Sequence, residues 1–221
     1  MALALFDLDN TLLSGDSDYL WGCFLAEKGL VARDYYEREN QRFYDEYKRG
    51  TLDIFEFLAF SLKPLADNEP DVLSRLQQQF LDEKIRPLMS PASFELIDKH
   101  KQANDTLVVI TATNSFVTRP IVKAFGIENL LATEPEIINS RYTGKVDGTP
   151  CFQEGKVTRL TSWMQEHHLN LQGSWFYSDS HNDIPLLKQV DNPVAVDPDE
   201  QLHELAIAEN WPIISLRHTW K

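Results

Sequence analysis

A short apolar run that ends in two aspartates constrains this chain more than any other stretch. Leu3, Ala4, Leu5 and Phe6 are apolar without alternation, and Asp7 and Asp9 follow directly. Such a run suits a strand covered on both faces of a parallel sheet. In open α/β sheets ligands bind in the crevice outside the carboxyl ends of the strands, which is where the two aspartates fall. Residues two apart on an extended chain project to the same side, so both carboxylates are able to face one centre. Held that close, they repel unless a cation lies between them or one carries a proton. Asp7-Leu8-Asp9-Asn10 also fits an ordinary Asp/Asn turn after a buried strand, so the reading needs support from the rest of the chain.

Beyond Thr11 the pattern is helical almost to Pro87. Leu20, Trp21, Phe24 and Leu25 recur at helical spacing before Gly29, and Asp16 or Ser17 is a suitable cap. Tyr36, Phe43 and Tyr47 mark a second helix near 34–48, and further segments near 53–62 and 70–84 complete a four-helix insert. Its aromatic stripes read as core. From Pro91 the rhythm becomes alternating helix and strand, the signature of a doubly wound parallel sheet. Leu107–Ile110 forms a strand ending at Thr111, residues 137–146 suit a β-ribbon, and Trp175–Tyr177 forms a strand ending in Ser-Asp-Ser-His-Asn-Asp. The expected fold is therefore α/β: a Rossmann-like doubly wound core of residues 1–13 and 88–221, with a small helical cap of residues 14–87 inserted after the first strand.

The 221 residues carry a net charge of −13. A field of that sign repels phosphodiester backbones and anionic lipid, so neither nucleic acid nor membrane is expected as partner. No stretch is long and apolar enough to span a bilayer or to serve as a signal peptide, and the expected location is cytoplasmic. Cys23 and Cys151 read as reduced packing residues.

Three strand ends now carry polar residues whose chemistry belongs together. They are Asp7 and Asp9, then Thr111, then Asp179 and Asp183, with Lys156 opening the helix between. Several aspartates without matching His or Cys favour a hard, oxygen-seeking cation, and Mg²⁺ is the usual choice beside a phosphate. Thr111 is placed to hydrogen-bond a phosphoryl oxygen, and Lys156 to balance negative charge.

The ordered set FDLDNT, ITAT, EGKVTRL and SDSHNDIPLL resembles the four motifs of the haloacid dehalogenase superfamily, specifically phosphatases with a helical cap after the first motif. The branch it resembles holds phosphoserine phosphatases and bacterial histidinol-phosphate phosphatases. The resemblance implies a Mg²⁺-dependent phosphomonoesterase in which Asp7 is the nucleophile and Asp9 the general acid/base. It makes Thr111 the phosphate-binding hydroxyl and Lys156 the lysine that steadies nucleophile and phosphoryl oxygens. Asp7, Asp179 and the Asp9 carbonyl become metal ligands, with Asp183 in the metal's surroundings. An acidic residue after the first motif binds the substrate ammonium in phosphoserine phosphatase, and Asp16 takes that place. Ala112 and Thr113 stand where that enzyme carries two glycines, Asn114 follows them as a further substrate-site residue, and Asn182 matches a position that contacts substrate.

The resemblance thus implies a small phosphorylated amino alcohol as substrate, such as histidinol phosphate or phosphoserine. A phosphotransferase that passes the phosphoryl group to a second alcohol, and a catalytically silent metal- or phosphate-binding protein, remain alternatives. Arg42, Tyr44 and Arg49 read as exposed helix residues, His181 as a loop histidine at the site mouth, and the assembly as a monomer or homodimer.

Overall fold

The computed structural model describes residues 2–217. Seven strands form one sheet in the order β4-β3-β2-β1-β5-β6-β7. The strands are β1 (Leu3–Phe6), β2 (Thr106–Asn114), β3 (Asn129–Ile138), β4 (Arg141–Asp147), β5 (Trp175–Ser178), β6 (Asn192–Val196) and β7 (Ile213–Ile214). All pairs are parallel except β3–β4. The run Leu3–Phe6 is the central strand, paired with β2 on one side and β5 on the other. Chain order reverses there, which opens a crevice at its carboxyl end.

Both faces of β1 are covered, as its lack of alternation requires. Ala4 and Phe6 join a core with Val109, Val117 and Tyr177; Leu3 and Leu5 join another with Ile110, Phe176 and Leu186. The first face is covered by α6 (Pro91–Gln102) and α7 (Ser115–Ala124), the second by α8 (Glu154–His167), α9 (Ile184–Leu187) and α10 (Glu200–Ala208). No helix among the described residues is long and apolar enough to cross a membrane.

The insert after β1 holds five helices where periodicity predicts four: α1 (Ser17–Glu27), α2 (Arg33–Lys48), α3 (Ile54–Ser61), α4 (Lys63–Asp67) and α5 (Pro70–Phe80). At five residues α4 is too short to show a period. The expected helix to residue 84 stops at Phe80 and continues as a wider turn through Ile85. The insert has no sealed interior of its own, because Trp21, Phe24 and Phe80 pack in the same core as Phe6 and Phe116. A second departure concerns β2, which runs past Thr111 to Asn114 because Asn114 pairs with Thr133 beyond a bulge.

Candidate active site

Asp7, Asp9, Asp16, Thr111, Ala112 and Thr113 converge on one cavity of about 650 Å³, including its open mouth, between the strand ends and α1–α3. The chain leaves β1 through a tight turn in which Asn10 takes a left-handed conformation (φ 56°), a conformation Asn tolerates. That turn places the two carboxylates in different surroundings.

Asp7 is only 6% exposed. Its Oδ1 accepts from Lys156 Nζ at 2.8 Å, and its Oδ2 lies 3.1 Å from Thr11 Oγ1. The same hydroxyl lies 3.1 Å from Asp179 Oδ1 and accepts from Asp179 N at 3.0 Å, so Thr11 ties the end of β1 to the end of β5. Burial pushes the Asp7 carboxyl up to about 7, with Lys156 opposing and the Asp183 and Asp9 charges adding to the rise. Burial, then the charges of Asp7 and Asp183, lift Asp179 well above the carboxylate range. Unbalanced negative charge buried on facing carboxylates is the condition a bound cation relieves.

Asp9 is pinned from two sides. Its Oδ1 accepts from Ser17 N at 2.7 Å, at the start of α1. Its Oδ2 accepts from Thr113 Oγ1 at 2.8 Å and Thr111 Oγ1 at 3.3 Å. Thr113 therefore orients Asp9 besides lining the cavity.

Lys156 is fully enclosed, with its Nζ 2.7 Å from Asp183 Oδ1 and 2.8 Å from both Asp183 Oδ2 and Asp7 Oδ1. Burial alone would lower its pKa; the Asp183 and Asp7 charges raise it instead. Gly155 makes this position possible, because a Cβ there would collide with the carbonyl oxygen of Pro150. Asp183 is committed to Lys156 and to Ser178 Oγ at 2.7 Å, so it serves the lysine directly.

Two expected substrate residues fall outside the cavity lining. Asn114, 1% exposed, accepts from Val117 N and caps α7. Asn182, 3% exposed, accepts from Gln153 Nε2 and donates to Tyr47 O, joining the last loop to α2. In Asn114 the cap takes the amide oxygen, and in Asn182 loop contacts take both ends of the amide. Asp16 is a helix cap, its Oδ1 accepting from Asp18 N and Tyr19 N, and it also lines the cavity. Arg42 is spent on Glu39, Glu46 and Glu56. Tyr44 lines the cavity, contrary to the exposed-helix reading. His181 Nδ1 lies 2.7 Å from Asp199 Oδ2, and its buried Nε2 has no partner among the described residues.

Sequence reasoning missed Thr11, Ser178, Asp18, Asn40 and Tyr47, whose hydroxyl donates to Ser180 Oγ at 3.2 Å. Of these, Thr11 closes the FDLDNT motif and Ser178 opens SDSHNDIPLL, but neither hydroxyl stood out beside the aspartates. Among the described residues no three Asp, Glu, His or Cys side chains converge as a ready metal cage; the carboxylates that come together are those of Asp7 and Asp179, both touching the Thr11 hydroxyl.

The sequence over residues 4–188 matches the haloacid dehalogenase-like hydrolases. The chain belongs to that family, in its phosphatase branch. It is 43% identical over 219 residues to the histidinol-phosphatase of Neisseria meningitidis, covering 97% of this chain and 99% of that one. It is 30% identical to phosphoserine phosphatase SerB1 of Mycobacterium tuberculosis over 98% of this chain and 71% of that protein. A Bordetella pertussis protein of unknown function superposes with a TM-score of 0.92 at 43% identity, covering 97% of this chain and 98% of that one. A phosphoserine phosphatase captured as a phospho-aspartyl analogue shares the fold at a TM-score of 0.71 and 18% identity, over 98% and 94% of the two chains.

Proposed function

We propose that this chain is a Mg²⁺-dependent phosphomonoesterase acting through an aspartyl-phosphate on an amino-alcohol phosphate, with histidinol phosphate the best-fitting member. The observation that carries the reading is Asp7, held between Lys156 Nζ and a Thr11 hydroxyl that also touches Asp179. Asp7 and Asp179, with the Asp9 carbonyl, would hold the Mg²⁺. The ion supplies charge neutralisation between two anions, nucleophile and phosphoryl group, that would otherwise repel.

In the first step a carboxylate oxygen of Asp7 attacks phosphorus in line and the ester P–O bond breaks, while Asp9 gives its proton to the departing alkoxide. Water then attacks the aspartyl-phosphate and Asp9 takes its proton. The acyl phosphate P–O bond breaks, and inorganic phosphate and the Asp7 carboxylate are restored. Lys156 holds Asp7 in place and balances charge on the phosphoryl oxygens, and Thr111 is the hydroxyl available to them. The cap helices exclude bulk water.

The substrate reading rests on charge. Asp16 offers a carboxylate to an ammonium group, and no lysine or arginine lines the cavity among the described residues. A substrate carboxylate would meet acidic residues with no counter-charge, which disfavours phosphoserine. The 43% identity to a histidinol-phosphatase points the same way.

The test is phosphate release, with Mg²⁺ and with EDTA, across histidinol phosphate, phosphoserine, sugar phosphates and nucleotides. Histidinol phosphate is expected to lead in kcat/KM by 10² or more, about 2.7 kcal/mol of discrimination, with turnover lost in EDTA and in Asp7→Asn. No turnover of any ester would defeat the proposal.

A further inference from the structure

We infer that Asp18 and Asn40 form a second recognition point, beyond Asp16, that reads the N–H groups of a flat ring at the cap end of the cavity. The inference rests on the amino-alcohol phosphate reading and adds which side chains select among such esters.

The first turn of α1 brings Asp16 and Asp18 to the same cavity wall. Asp16 spends one oxygen on the helix cap. Asp18, two residues on, has no hydrogen-bond or ion-pair partner for its carboxylate among the described residues, and its neighbouring charges are Asp16 and Asp9, both negative. Two carboxylates side by side at the edge of an apolar cavity are costly without a cation or N–H donor to satisfy them.

Asn40 supplies the independent observation. It is 6% exposed, lines the cavity, and donates through Nδ2 to Tyr19 O at 2.8 Å; its Oδ1 has no partner among the described residues. A cost is accepted to hold it there. Gly22 sits inside α1, at a cost of about 1 kcal/mol relative to alanine, and a Cβ at that position would lie 2.9 Å from Asn40 Nδ2.

The remaining walls suit a ring. Tyr19 and Tyr44 approach to 5.4 Å between centroids, Phe43 and Phe57 to 5.3 Å, and Leu52 and Ile54 close the end. Aromatic walls bind a flat heterocycle by stacking and edge contacts, more strongly when the ring carries positive charge. The cavity thus presents a phosphate end, one carboxylate for an aliphatic ammonium, and a carboxylate with an amide oxygen for ring nitrogens.

The experiment compares kcat/KM for histidinol phosphate and for phosphoethanolamine, which keeps the amine and lacks the ring, in wild type, Asp18→Asn and Asn40→Leu. Wild type is expected to prefer the ring-bearing ester by 10² or more. Asp18→Asn should cut that preference at least tenfold, chiefly through KM, and Asn40→Leu several-fold. A purely structural role would lower both esters together, so an unchanged ratio in both variants, or equal turnover by wild type, overturns the inference while leaving the hydrolase reading intact. Calorimetric titration with histidinol needs no turnover. At least tenfold weaker binding to Asp18→Asn supports the inference even if no ester is hydrolysed, and equal affinity overturns it.

Discussion

Lys156 Nζ lies 2.7 Å from Asp183 Oδ1 in a setting where both side chains are at most 3% exposed, and the same ammonium holds Asp7 at 2.8 Å. The lysine therefore has two duties: it neutralises the buried Asp183 carboxylate and holds Asp7, the proposed nucleophile. Removing one partner of a buried pair leaves the other charge uncompensated, at about 3–5 kcal/mol. Lys156→Met should lower the urea midpoint accordingly and abolish turnover. Lys156→Arg should not restore activity, because a planar fork cannot reproduce a compact ammonium between two carboxylates. Urea titration with kcat measurement checks both.

Gly155→Ala tests how that lysine is placed. The new methyl group would collide with the Pro150 carbonyl oxygen, and backbone cannot step aside as a side chain would, so the turn into α8 must shift. The expected cost is about 1–3 kcal/mol of stability, with a larger fractional fall in kcat because Lys156 moves with the turn. A variant with full activity would contradict the link between Gly155 and Lys156.

Asp9→Asn removes the proposed acid while its amide can still accept from Ser17 N. Positioned acid/base groups contribute roughly 10²–10⁴ in rate. The loss in kcat should reach that range for alkyl phosphates and be smaller for p-nitrophenyl phosphate, whose leaving group needs little protonation. Equal losses on both esters would count against the acid role.

Much of this site was legible in the sequence because its carboxylates stand at strand ends, and strand ends of a parallel sheet share one edge. Asp7, Asp9, Thr111, Lys156, Asp179 and Asp183 gather for that reason. Asn114 and Asn182 looked equivalent to them, yet both lie outside the cavity lining, engaged in a helix cap and a loop contact that only the folded chain reveals. Asp18 and Asn40 gave no signal, since a charged residue in a first helical turn and a polar residue in a helix are ordinary on a surface. The helical insert was visible by period, but its merger with the sheet's core through Trp21 and Phe80 depends on packing that periodicity does not encode.

The pH dependence of KM follows from Asp16. Burial and the Asp9 charge lift its carboxyl to about 7, so the charged form proposed to pair with an ammonium is lost as pH falls through that value. KM for an amine-bearing phosphate should rise in acid more steeply than KM for an ester without an amine, which shares the titrations of the phosphate and of Asp7 but not that of Asp16. Asp16→Asn should erase the difference, as read from KM profiles between about pH 5.5 and 8.

A second pH effect concerns stability. Asp105 is held below the usual carboxylate range: burial opposes this, but hydrogen bonds from His100 and from Ala2 N outweigh it. A carboxyl lowered in the folded state contributes stability above its unfolded pKa and loses it as pH falls through the folded value. Asp105→Asn should therefore lower Tm near neutral pH and flatten its decline in acid, as thermal melts from about pH 3 to 7 would show.

The central claim, that Asp7 carries the phosphoryl group, is tested most directly by trapping it. Enzyme turning over histidinol phosphate with Mg²⁺ is quenched in acid and reduced with borohydride, and its peptides are sequenced by mass spectrometry. An aspartyl-phosphate is an acyl phosphate, so reduction should convert residue 7 alone into the corresponding alcohol, homoserine, and hydroxylamine should release the phosphoryl group before reduction. Steady turnover with Asp7 unmodified, or with the phosphoryl group on another residue, would contradict the account.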